Sequence, residues 1–169
     1  MNSSSKRIIN ELEYLKNNGV HIINCNLESK EINIFYNDKF IDIFYYNTYP
    51  FSNINKIFIN NVNFSEMLRK KSEILFKNNN INKNKKILND LNLKFKYCCL
   101  FCSSYLNPDN WTPTVKINDY LIEIKNIFQF EKNYHNFLKI KKLKNIICND
   151  LIIKIEIFLN VEKFKKIFN

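Results

Sequence analysis

Glycine, alanine, proline and histidine are scarce in this 169-residue chain, which has one glycine, no alanine, three prolines and two histidines. A single glycine excludes the glycine-rich loops that cradle phosphates, because neither Gly-x-Gly-x-x-Gly nor a Walker motif can be formed. With only two histidines, we expect no multi-histidine metal centre. The chain also lacks a run of about 18 apolar residues, the length that a membrane-spanning helix needs, so we expect no membrane partner.

Asparagine, isoleucine and lysine dominate instead, with 31, 26 and 24 residues. All three are favoured by AT-rich codons, so the composition points to an AT-rich genome. Lysine is what such a genome supplies, and the net charge of +10 therefore does not lead us to expect a nucleic-acid partner. The hydrophobic fraction of 46% is too high for a disordered chain, and the length fits one domain.

The cysteines and the N-terminus indicate the compartment. The first seven residues are polar and lead into an amphipathic pattern, so we expect no signal peptide. The odd cysteine count favours reduced thiols over a disulfide scaffold. We therefore expect a protein of the cytoplasm or the nucleus. The five cysteines are Cys25, Cys98, Cys99, Cys102 and Cys148.

Hydrophobic periodicity predicts an α+β fold. Residues 5–18 form an amphipathic helix with Ile8, Leu12 and Leu15 on one face and Gly19 after its end. Four β-rich runs follow and predict a four-stranded antiparallel meander with the turn Asn37-Asp38. The runs are residues 21–24, 32–36, 40–46 and 54–59.

Helices dominate the rest of the chain. A helix is predicted over residues 63–76, followed by a polar Asn/Lys tract, a cysteine loop and further helices. We expect one domain over residues 1–169, with residues 62–96 as an insertion and residues 131–169 as extra C-terminal helices. The predicted C-terminal helices are residues 118–128, 134–147 and 150–168.

Four short motifs occur in order along these elements. They are Lys6-Arg7-Ile8 with Glu11-Leu12 in the first helix, Tyr49-Pro50-Phe51, Cys99-Leu100, and Trp111-Thr112-Pro113. Together they resemble the ubiquitin-conjugating enzyme (E2) family over roughly residues 3–130. The resemblance implies a UBC-like fold, with an N-terminal helix, a four-stranded meander, an active-site loop and C-terminal helices.

The resemblance also implies an activity, namely transfer of ubiquitin or a ubiquitin-like protein from an E1 enzyme to a substrate or an E3 ligase. A cysteine carries the modifier as a thioester, and no cofactor is needed. Cys99 is the first candidate because leucine follows it and Trp111 lies at a family-compatible distance. Cys102 is the alternative nucleophile. For either residue, the competing interpretation is a buried structural cysteine.

The family meets E1 and E3 through its first helix and two loops. By resemblance, the contact residues here are Lys6, Arg7, Phe51, Thr112, Pro113 and Thr114.

The chain departs from the E2 pattern in two respects. It lacks the His-Pro-Asn motif that precedes the family's cysteine, and Cys99 follows Pro50 by 49 positions. Asn61 or Asn63 could supply the missing asparagine, whose role in the family is thought to be oxyanion stabilisation. The departures favour a second interpretation, a catalytically inactive E2-like or RWD-type partner-binding module. A third is a structural component of a larger assembly.

The crowded cysteines also permit a metal interpretation. Cys99-x-x-Cys102 has zinc-knuckle spacing, with Cys98 beside it. No second Cys-x-x-Cys or Cys-x-x-His pair completes the pattern, so we expect no metal. Residues that could complete a tetrahedral set are Cys25, Cys148, His21 and His135.

Overall fold

The computed structural model describes residues 3–76 and 100–144. The chain divides into two compact units. The first contains Met1–Lys77 and Phe95–Glu123, and the second contains Asn78–Lys94 and Ile124–Asn169. The described part is α+β, with an N-terminal helix, an antiparallel sheet and a long helix toward the C-terminus.

Helix α1 spans Ser3–Asn17. The only glycine of the sequence, Gly19, follows two residues after its end. Gly19 has φ +76°, a conformation that costs other L-residues energy. The amide of Gly19 donates to the carbonyl of Lys16 at 3.0 Å, and that of Val20 donates to Leu15 at 3.0 Å. These two bonds form a Schellman motif, with buried Val20 and Leu15 at its two ends. The predicted C-terminal role of Gly19 is confirmed.

The sheet is a five-stranded antiparallel meander in the order β1-β2-β3-β4-β5. Its strands are β1 His21–Asn26, β2 Glu31–Tyr36, β3 Lys39–Tyr45, β4 Ile54–Ile59 and β5 Val62–Asn63. The four predicted strands are present. Strand β5 was not predicted, because its two residues show no alternation that the sequence could reveal.

Two of the hairpins turn on asparagine and aspartate rather than on glycine. Asn37 and Asp38 have φ 49° and 60°, and Asn60 and Asn61 have φ 48° and 64°. Each pair is a two-residue connection with positive φ at both positions, the geometry of a type I′ turn. Asparagine and aspartate tolerate this region better than other residues with a side chain. The predicted Asn37-Asp38 turn is confirmed.

The core of the first unit lies against one face of the sheet. Ile8 and Leu15 of α1 are fully buried there, as their predicted spacing requires. The opposite sheet face carries aromatic rings in cross-strand pairs, such as Phe35 and Phe40 with centroids 5.1 Å apart. The isoleucines buried on the inner face are Ile32, Ile34, Ile41, Ile43, Ile54, Ile57 and Ile59.

The remaining described elements are helical. They are α2 Phe64–Phe76, a single turn α3 Leu100–Ser103, a 3₁₀ turn Pro108–Asn110, and α4 Ile117–Lys144. Over residues 118–144, one continuous helix replaces the predicted pair of helices with a break between them. The predicted polar tract at residues 77–86 and helix at residues 150–168 lie outside the described residues.

Candidate functional site

Glu11 is a buried carboxylate that joins three separate parts of the chain. It lies in α1 with 6% of its surface exposed. The Tyr49 hydroxyl donates to its two oxygens at 3.1 and 2.9 Å, and the Ile117 amide donates to Oε2 at 2.8 Å. The Nε–H of Arg7, one turn earlier in α1, donates to Oε1. Glu11 thus holds α1, the loop before β4 and the start of α4 together.

Burial and mutual contact shift the titration of this group of side chains. Burial, the Glu11 charge and the hydrogen bond to Glu11 raise the pKa of Tyr49. The hydrogen bond to Glu11 raises the pKa of Arg7, against the smaller opposing effect of its burial. Tyr49 is therefore neutral and Arg7 charged throughout the physiological range, so both remain hydrogen-bond donors to Glu11 across it.

The residues predicted by resemblance to contact E1 and E3 lie on the elements that Glu11 joins. Lys6 is exposed on α1, and Arg7 is half-buried. Phe51, two residues after Tyr49, has 76% of its surface exposed, the highest fraction among the exposed large apolar side chains of the described residues. The exposed segment of Thr112, Pro113 and Thr114 leads to Ile117. Because their role is a prediction by resemblance, we use the name docking face for these six residues only as a label for that predicted set.

A second set of hydrogen bonds ties the loop before β4 to the segment after α3. The side-chain amide of Asn53 donates to the carbonyl of Tyr105 at 2.9 Å. The Tyr120 hydroxyl of α4 donates to Oδ1 of Asn53, and the Tyr105 and Tyr120 rings meet edge to face with centroids 6.0 Å apart. The segment that follows Cys102 is therefore bonded to the loop before β4 and to α4, two of the elements that carry the docking face or lie next to it.

Cys102 lies on α3, whose position α2 fixes through two contacts. The buried Ser72 hydroxyl donates to the carbonyl of Leu68 at 2.7 Å and accepts from the amide of Leu100 at 2.8 Å. The guanidinium of Arg69 lies 3.9 Å from the centroid of the Phe101 ring, a cation–π contact. Cys102 follows directly and is partly exposed as a thiol.

Two asparagine side chains approach Cys102 but bond to its backbone. The amide of Asn110 donates to the carbonyl oxygen of Cys102 at 2.6 Å and to that of Ser104 at 3.1 Å. The amide of Asn107 lies 3.4 Å from the same Cys102 oxygen. These bonds hold residues 102–110 in a compact turn. The side-chain amides of both asparagines therefore donate to backbone carbonyl oxygens.

Glu123 of α4 also contacts this turn through its carboxyl group. Its Oε2 accepts from the amide of Tyr105 at 3.1 Å, and the buried Ser104 hydroxyl also bonds to it. Its Oε1 is buried with no hydrogen-bond partner in residues 3–76 and 100–144. Burial raises the pKa of Glu123 to about 7, against the opposing effect of these two hydrogen bonds. The carboxyl therefore titrates near neutral pH.

Several predicted site residues fall elsewhere. Cys98 and Cys99 lie outside the described residues, so the role of Cys99 stays a prediction. Asn63 precedes α2 and caps it, because its Oδ1 accepts from the amide of Glu66 at 3.3 Å. Asn61 occupies the β4–β5 turn.

Two absences hold for residues 3–76 and 100–144. Among these residues, no group of three or more histidine, cysteine, aspartate or glutamate side chains is arranged to hold a metal ion. None of the helices within these two ranges combines the length and the hydropathy that a bilayer-spanning segment needs.

The residues that hold the cysteine turn were not found by sequence reasoning. Ser72 carries a readable signal, because residues 64, 68 and 72 share one face of α2 and the first two are buried apolar residues. Asn53 and Asn110 carry none, since each is one of 31 asparagines.

No protein-family model, curated protein or solved structure matches this chain.

Proposed function

We propose that the chain is an E2-like conjugating protein that carries ubiquitin or a ubiquitin-like modifier as a cysteine thioester. The observation that supports this best is the Glu11 contact set. It joins the three elements that, by resemblance, meet E1 and E3, and one of its donors, Tyr49, lies two residues before the exposed Phe51. Phe51 could then act as an aromatic anchor for a partner, because aromatic side chains are enriched at protein–protein interfaces.

The proposed reaction needs one accessible thiol. The cysteine thiolate attacks the carbonyl of the E1-bound thioester, the E1 thiolate leaves, and the modifier is then attached to the chain. A substrate amine later attacks the new thioester and releases the cysteine. Cys99 remains the first candidate from the resemblance. Cys102 is the candidate within the described residues, because it is partly exposed on a turn tied at both ends.

A second candidate function is a partner-binding module without catalysis. It is favoured by the asparagines beside Cys102, whose amides bond to backbone carbonyls rather than standing open for an oxyanion. The absence of His-Pro-Asn in the sequence points the same way. Such a module would use the same docking face.

A thioester assay tests the proposal. The full chain is incubated with E1, ATP and each of a panel of ubiquitin and ubiquitin-like proteins. We expect an adduct that a thiol reductant cleaves, that Cys99→Ala or Cys102→Ala abolishes, and that Cys25→Ala leaves intact. Serine at the responsible position should give an oxygen ester that resists the reductant.

The docking face supplies the second measurement. Phe51→Ala removes an exposed ring, so it should weaken E3 binding without changing stability by more than about 0.5 kcal/mol. No adduct with any modifier, together with E3 binding that needs Phe51, would overturn the transferase proposal and support the partner-binding module.

A further inference from the structure

A pocket of about 280 Å³ opens within the first unit, between α1 and the start of α4. Sites for small organic ligands usually measure about 300–1,000 Å³, so this volume suits a single side chain of a partner better. The pocket is lined by Arg7, Asn10, Glu11, Tyr14, Lys116 and Asn118.

The charge of the pocket is positive. Arg7 and Lys116 contribute two cations, and Glu11 is the one acidic residue in its lining. Both Glu11 oxygens already accept hydrogen bonds from Tyr49 and from the backbone of Ile117. The Glu11 carboxylate offsets one cation, which leaves the equivalent of one positive charge for a ligand.

Hydrogen bonding at Arg7 points to the same kind of ligand. Its Nε–H donates to Glu11, whereas its Nη2 is buried and has no partner among the described residues. A buried donor on a charged group is costly to leave without an acceptor. Arg7 lines the pocket and has 30% of its side chain exposed, so its guanidinium can be approached by an acceptor from the pocket.

We propose that this pocket binds an aspartate or glutamate side chain of a partner protein. The carboxylate would pair with the Arg7 guanidinium and the Lys116 ammonium, both charge-assisted contacts. The amides of Asn10 and Asn118 offer further donors, and the Tyr14 ring, 53% exposed, offers apolar contact to the neighbouring partner residue. Carboxylate binding does not need the thioester chemistry. Only the partner's identity as an E1 or E3 rests on the proposed function, because the pocket shares Arg7 with the docking face.

The test uses the full chain and a fluorescein-labelled peptide with two adjacent glutamates flanked by serine and glycine. Fluorescence anisotropy should show binding, and the peptide with glutamines in their place should bind roughly tenfold more weakly. Lys116→Gln and Lys116→Glu should each weaken binding of the glutamate peptide roughly tenfold or more. Lys116 is exposed, so circular dichroism should be unchanged.

Lys70→Glu is the matched control, since it makes the same charge change at an exposed site on α2. An equal loss of binding in Lys70→Glu would overturn the inference, because binding would then follow net charge alone. Failure of the glutamate peptide to bind would also overturn it. The same holds if a peptide with phosphoserines in place of the glutamates binds while the glutamate peptide does not. The thioester assay is separate, so an active chain that ignores the peptide contradicts the pocket and not the conjugation proposal.

Discussion

The Glu11 side chain shows how one ionised group can be kept inside a protein. Burying a carboxylate costs several kcal/mol unless donors and an opposite charge replace water. Here Tyr49 and the Ile117 amide supply hydrogen bonds, and Arg7 supplies both a bond and a charge. The arrangement demands an acidic residue of glutamate length at position 11.

Glu123 is the opposite case, a half-buried carboxyl with donors on one oxygen only. Tyr105 and Ser104 bond to it, while Oε1 has no partner in the described chain. Burial raises its pKa from the ordinary 4.5 to about 7. The folded protein therefore binds the proton more tightly than the unfolded chain does.

We predict that Glu123 makes the protein less stable as the pH rises from about 4.5 to about 7. In that window the unfolded carboxyl ionises while the folded one is still protonated, so the unfolded state gains stability. Above about 7 the loss is complete and amounts to roughly 3 kcal/mol at most. Urea unfolding of the wild type and of Glu123→Gln at pH 5 and pH 8 measures it, and the variant should be the more stable at pH 8.

Glu66→Gln is the control, because Glu66 is exposed on α2. Its stability should follow the wild type at both pH values. Parallel behaviour of Glu123→Gln and the wild type would contradict the raised pKa.

Among the elements, the tight hairpins have asparagine or aspartate at the positive-φ positions that glycine often occupies. The type I′ turns at residues 37–38 and 60–61 contain no glycine. Asn60 adds a contact of its own, because its Oδ1 accepts from the amide of Phe40 at 2.9 Å. An asparagine-rich composition therefore still supplies the turns of a meander.

We predict opposite effects of two substitutions at Asn61, where φ is 64°. Asn61→Gly should raise the free energy of unfolding by about 0.5 kcal/mol, because glycine adopts positive φ without steric cost. Asn61→Ala should lower it by about 1 kcal/mol, the cost of the left-handed conformation for an ordinary side chain. Thermal or urea unfolding measures both, and equal stability of the two variants would contradict the turn geometry.

Strands and helices were predictable where periodicity extends over several residues, as in α1 and β2. The fifth strand was not, since Val62 and Asn63 form no pattern. The predicted break after residue 128 was wrong because no proline or glycine interrupts the helix there. The polar residues at the predicted break also fit within α4. Asn133 is buried there, and its Oδ1 accepts from the side-chain amide of Gln129, one turn earlier, at 2.8 Å.

The candidate site was less predictable than the elements, because its geometry comes from contacts between distant residues. Glu11 and Ile117 are 106 positions apart, and Asn53 and Tyr105 are 52 apart. The motifs could nominate Arg7, Phe51 and Thr112 by resemblance. Nothing in the sequence identifies which backbone amide a buried carboxylate will meet.

For the whole molecule, the first compact unit is discontinuous in sequence. It needs Phe95–Glu123 as well as Met1–Lys77. After residue 114, this later segment contributes four apolar side chains with 7% or less of their surface exposed, and burying each contributes about 1.5–3 kcal/mol. Together these approach the total stability of a domain, about 5–15 kcal/mol. They are Val115, Ile117, Tyr120 and Leu121.

We therefore predict that a fragment of residues 1–114 does not fold. It keeps α1 and the whole sheet but loses the four buried side chains and the Ile117 amide on Glu11. Its urea titration should lack the cooperative transition of the full chain, and its near-ultraviolet circular dichroism should be weak. A fragment with a cooperative transition at the full chain's midpoint would contradict this account.

The distance between Glu11 and Ile117 also has a consequence for synthesis on the ribosome. At about 5–20 residues per second, roughly 5–20 s pass between the addition of the carboxylate and the addition of the amide that it accepts from. During that interval α1 and the meander lack the Ile117 amide, one of the donors to the Glu11 carboxylate that the finished protein buries. The nascent chain is thus exposed to chaperones and proteases until translation has passed the start of α4.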